Sequence, residues 1–94
     1  MIKRKLKNHP TASCNVIVFG RGEQWLTSCG QRIGALNSSG YLFIDYNTPT
    51  QLNHLKWWAE ELGIDTKVID NLAYNRDLVT YNIYTGGYFN EANF

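Results

Sequence analysis

Two histidines, two cysteines and one adjacent pair of glutamates are the side chains of this chain best suited to bond-making chemistry. Hydrolysis asks for a nucleophile beside a base, or for two carboxylates facing one substrate. Cys14 or Cys29 meets His54 only if the fold brings them together, since no local signature surrounds either thiol. Glu60 and Glu61 are neighbours on a helical stretch and point about 100° apart, so they do not share a substrate. His9 and His54 lie far apart and belong to no metal motif, and Gly20-x-Gly22 is too short to cradle a dinucleotide. The sequence therefore predicts no enzyme, no metal and no cofactor.

The elements that would position these groups are clearest between Gly40 and Asp65. Tyr41 to Tyr46 is rich in aromatic and β-branched residues and reads as a strand. Thr48 then offers its hydroxyl to the first helical turn, Pro49 fits where no N–H is needed, and Gln51 reaches back in a capping box. Leu52, Leu55, Trp58, Ala59 and Leu62 recur at helical spacing, and Gly63 supplies a left-handed stop.

Before this core unit, Cys14 to Phe19 reads as a first strand. Trp25 to Leu36 reads as a second, longer strand with a bulge at Gly30. Asn37-Ser38-Ser39-Gly40 is a turn. After the helix, Lys67-Val68-Ile69 fits a short strand or a loop, and Asn71 to Asp77 a helical turn. Leu78 to Tyr84 alternates as a fourth strand. The expected fold is α+β: a small antiparallel sheet of three to four strands with one main helix packed on one face. Residues 1–12 are expected as a basic arm dispensable for folding, 13–85 as the single domain and 86–94 as an aromatic tail.

Ninety-four residues with 44% apolar and 14% aromatic content suit one globular domain. No run of about 18 apolar residues occurs, and no apolar signal region follows the basic start, so neither a membrane span nor secretion is expected. Two cysteines at this spacing predict free buried thiols in an intracellular protein. The net charge of +1 is uneven: Lys3, Arg4, Lys5 and Lys7 open the chain. From residue 8 onward five basic residues face eight acidic ones, a net of −3.

Binding is better supported by the residue pattern than catalysis. Trp57 falls off the apolar stripe and groups with His54 and Glu61 at i, i+3 and i+7, a candidate partner-binding patch on the helix. Covering of Trp57 by residues 66–94 is the competing expectation. Tyr88, Phe89 and Phe94 form a second candidate patch, able to dock on a partner or on another copy of the chain. Lys3, Arg4, Lys5 and Lys7 could instead hold nucleic-acid phosphates while aromatics stack on bases.

The run Trp25-Leu26-Thr27-Ser28-Cys29-Gly30-Gln31-Arg32-Ile33-Gly34-Ala35, followed by Tyr46-Asn47-Thr48-Pro49-Thr50 and His54, resembles small proteins of tailed bacteriophages. Those proteins carry serine-tyrosine-glycine-threonine with isoleucine-alanine after it. A tyrosine-serine-x-threonine-threonine and a helical histidine follow. Cys29 stands where tyrosine is usual and Gln31 where threonine is usual. The resemblance spans about residues 24–64 and implies a phage protein working in the host cytoplasm. It further implies an accessory role: binding and disabling or redirecting a host protein, as anti-defence and anti-CRISPR proteins do.

Overall fold

The computed structural model describes residues 1–91. Its first helix, α1 (Pro49–Leu62), begins and ends as the capping residues dictate. The Gln51 N–H donates to Thr48 Oγ1 at 3.2 Å, and the Asn47 N–H donates to Gln51 Oε1 at 2.7 Å. Gly63, at φ 78°, closes the helix with its N–H on the Ala59 and Glu60 carbonyls. Thr48→Ala should therefore cost about 1 kcal/mol, read as a lower chemical-denaturation midpoint. An unchanged midpoint would place the helix start elsewhere.

Among the described residues the sheet has seven strands rather than three or four. They are β1 (Ile2–Arg4), β2 (Cys14–Val18), β3 (Gln24–Ser28), β4 (Gln31–Leu36), β5 (Tyr41–Ile44), β6 (Leu78–Asn82) and β7 (Gly87–Asn90). All pair antiparallel in chain order. A second helix, α2 (Lys67–Tyr74), joins α1 in the β5–β6 connection. The fold remains α+β, but with seven strands and two helices in place of the smaller architecture expected.

Each difference has a local cause. The expected long strand is a hairpin, because Cys29 (φ 51°) and Gly30 (φ 81°) both adopt the left-handed conformation of a two-residue turn. Its irregularity lies further on: Ile33 is the extra residue between the pairs Leu26–Gly34 and Thr27–Arg32. Ile2–Arg4 leaves the expected arm and pairs with β2, a charged edge strand. Val68 and Ile69, β-branched and strand-like alone, join Leu72 on the buried face of α2. Gly86 (φ 72°) turns β6 back into β7, so residues 87–90 are sheet rather than tail.

Register sorts the strands into two faces. Ile2, Val18, Gln24, Leu36, Leu42, Tyr81 and Tyr88 pair in one row across all seven strands. Arg4, Val16, Leu26, Gly34 and Ile44 form a second row on the same face. The helices cover this face. A Cβ on Gly34 would stand 2.6 Å from Trp58 Cζ3, so the sheet lies directly against the ring. Leu6, Val16, Leu26, Ile33, Leu42, Leu55, Trp58 and Ile69 fill the space between the layers, each almost wholly buried.

Candidate binding face

Trp57, His54 and Glu61 do gather on one side of α1, but the N-terminal segment closes over them. His9 lies flat on the Trp57 indole, with centroids 3.9 Å apart and planes 8° from parallel. Arg4 grips Glu61 through two hydrogen bonds of 3.1 and 2.8 Å, and the Lys7 backbone N–H adds a third at 2.9 Å. Trp57 is half-buried, and the ring stacked on it is His9 of the N-terminal segment. Lys5 Nζ donates to the Ala12 carbonyl, while Lys3 and Lys7 are exposed.

His54 is buried rather than surface-facing, and its Nδ1 is hydrogen-bonded to Ser28 Oγ of β3 at 2.9 Å. The pair has the separation of a nucleophile and its base. Both side chains are almost fully covered, however, and the ring beside His54 is Trp57, with centroids 5.4 Å apart. This is a hydrogen bond of the core that satisfies two polar groups. Cys14 is buried and Cys29 sits exposed at the β3–β4 turn, its thiol directed at Ser13 Oγ. Among the described residues no three of His, Cys, Asp or Glu stand close enough to hold a metal ion.

Burial pushes the His54 imidazole below its usual range, and the nearby His9 pushes it the same way. Burial alone would raise the Glu61 carboxyl, but the Arg4 and Lys7 hydrogen bonds outweigh it and hold that group low. The sign for both is the same. Below the ordinary histidine range the unfolded chain binds a proton that folded His54 resists, so stability falls with pH. Acidification from about pH 7.5 to about 5.5 should therefore lower the denaturation midpoint, and His54→Gln should flatten that slope. An equal slope in the variant would remove His54 as its source.

The C-terminal aromatics divide between the faces. Tyr88 packs on Tyr81 with centroids 4.8 Å apart, and its hydroxyl accepts from Asn71 of α2 at 2.8 Å. Phe89 points to the other side and meets Tyr41 edge-on at 5.5 Å. Phe94 lies outside the described residues.

That other side carries the feature the sequence reading missed. Lys3, Ile17, Trp25, Ala35 and Phe43 are consecutive register partners across β1 to β5. They form one transverse row on the face opposite the helices. Phe19 packs its edge against Trp25 at 4.8 Å, and the Arg32 guanidinium lies 4.9 Å over the Trp25 ring. The side chains that pack against the core include Val18, Ile44, Tyr81 and Tyr88, and Ile17, Trp25 and Ala35 are not among them. Among the described residues no helix covers it. A cleft of about 60 Å³ opens beside Ala35 and Phe43 where the bulge ends, with Arg32 and Asp45 at its rim.

The signal for this face was present. Tyr41-Leu42-Phe43-Ile44 is apolar at every position, and Ile17 and Trp25 alternate with core residues. Strands apolar on both sides need two covers, and the chain supplies helices for one. Comparison of the chain with family models, curated proteins and solved structures gives no match.

Proposed function

We propose that this protein is a non-enzymatic binding protein whose uncovered sheet face docks a partner protein. The observation supporting it is the half-buried row Ile17–Trp25–Ala35, flanked by Phe19 and Arg32, with no helix of the described residues over it. Aromatic and arginine side chains gathered at the centre of a flat face are the composition of interface hot spots. The resemblance to tailed-bacteriophage proteins extends the proposal: an accessory protein acting in the host cytoplasm to inhibit or redirect a host protein, in the manner of anti-defence factors. No helix of the described residues is long and apolar enough to cross a membrane.

Compared with the Trp57 patch, the sheet face has the advantage of accessibility. Trp57, His54 and Glu61 are already occupied by His9, Ser28 and Arg4. Trp25→Ala and Ile17→Ala should each leave the fold intact by circular dichroism and weaken capture of a host protein, Trp25→Ala by about 2 kcal/mol or more. Retention of the captured protein by the double variant, with loss on Trp57→Ala, would move the interface to the helix.

A further inference from the structure

We infer that two copies of this chain pair edge to edge through β7, antiparallel about a two-fold axis at Tyr88, into one continuous sheet. The inference goes beyond the docking face proposed above and does not depend on it.

The strand order leaves two edges among the described residues, β1 and β7. The outward N–H and C=O groups of an edge strand template another strand, and proteins blunt such edges with charge or proline. β1 is blunted by Lys3 and Arg4. Antiparallel pairing of β1 with its copy about Lys3 would set lysine against lysine. β7 has no such guard. From Leu78 to Asn90 the hairpin of β6 and β7 contains no Asp, Glu, Lys, Arg or Pro. The strand is also held in place, because Asn71 donates to the Tyr88 hydroxyl at 2.8 Å and the Tyr81 ring packs on Tyr88. An edge already ordered loses little freedom on pairing.

The residues of β7 match their own copies. A two-fold axis normal to the sheet keeps every side chain on its face, so Tyr88 opposes Tyr88 and Gly87 opposes Phe89. Tyr88 belongs to the helix-covered face, Gly87 and Phe89 to the other. Aromatic pairs stabilise neighbouring strands, and an aromatic ring across from an edge glycine covers backbone that the glycine leaves bare. A Cβ on Gly87 would meet nothing closer than Thr85 Oγ1 at 3.6 Å, so the glycine is not needed for packing within the chain. The charges fit as well. Chain reversal sets Glu91 of one copy against Thr85 of the other, in an uncharged turn, and keeps the two Glu91 residues about 20 Å apart along the edge. An extended segment of another protein could use the same backbone groups, but the side-chain match is specific to a second β7. The resulting dimer has both helix layers on one side and both Trp25 faces, side by side, on the other.

Sedimentation of the full chain over a rising concentration series, with amide hydrogen exchange at both ends of the series, tests the pairing. A dimer should form, and residues 87–89 should gain protection with it while β1 does not. Thr85 supplies the lever, because its side chain is exposed and its N–H keeps the bond to Asn82 Oδ1 in any variant. Thr85→Glu sets like charges at both ends of the paired edge and should weaken the dimer about fivefold, whereas Thr85→Lys sets opposite charges there and should tighten it about fivefold. A monomer at every concentration, protection on β1 or around Trp25 instead of β7, or the reverse order of the two variants would each overturn the inference. Trp25→Ala separates it from the docking face: the dimer should survive that change, and its loss would move the contact between copies to the sheet face.

Discussion

Removal of residues 1–12 is expected to unfold most of the protein. Leu6 is 1% exposed and belongs to the central core, although it lies in a segment with no apolar periodicity. Leu6→Ala alone should cost about 2–5 kcal/mol through lost burial and the cavity left behind. The truncation also strips β1 from β2, frees Glu61 from Arg4 and Lys7, and uncovers Trp57. Domains of this size have about 5–15 kcal/mol in total, so the combined loss approaches the whole. Chemical denaturation of a chain starting at Ser13 checks this. A midpoint equal to that of the full chain would return residues 1–12 to the status of a dispensable arm.

The second large effect sits where α1 meets the sheet. Trp58 is fully buried on Gly34, and Trp58→Ala should cost about 3–5 kcal/mol. Gly34→Ala attacks the same contact from the other side. Its Cβ would lie 2.6 Å from Trp58 Cζ3 and 3.0 Å from Leu55 Cδ2, an overpacking worth about 1–3 kcal/mol. Because the two residues touch, their changes should couple. Trp58→Phe shortens the ring and removes an Nε1–H that has no partner in the core, so it should relieve Gly34→Ala. Trp57→Ala is the internal control: half-buried under His9, it should cost clearly less than Trp58→Ala. Equal losses at the two tryptophans, or additive losses at Gly34 and Trp58, would contradict this packing.

What the sequence made legible was local. Thr48, Pro49, Gln51 and Gly63 fix α1 through contacts within a few residues, and they do so in the structure. The Asn37 turn is of the same kind, its Oδ1 accepting from the Ser39 and Tyr41 N–H groups. Errors arose where tertiary pairing decides. Lys3 and Arg4 look solvated in one dimension, but β2 offers an open edge and Glu61 a carboxylate. Cys29 is an unusual residue for a left-handed hairpin turn, so Cys29-Gly30 was hidden inside an apparent long strand. Val68-Ile69 is β-branched, but it covers the core as helix because Leu72 repeats on the same face. His54 departed from the expected surface for the same reason: Ser28, twenty-six positions earlier, waits beneath it. The binding face needed the register of five strands before Lys3, Ile17, Trp25, Ala35 and Phe43 became one row.

Side-chain footprinting of the complex tests the docking face most directly. Hydroxyl radicals label accessible aromatic rings, and the protein carries three tryptophans in three environments: Trp25 on the uncovered face, Trp57 under His9 and Trp58 in the core. With a captured host protein bound, labelling of Trp25 and its neighbour Phe19 should fall sharply while Trp57 and Trp58 stay as in the free protein. Unchanged labelling of Trp25 and Phe19, with protection at Trp57 or at Tyr88, would show that the partner sits elsewhere and that the sheet face is not the interface.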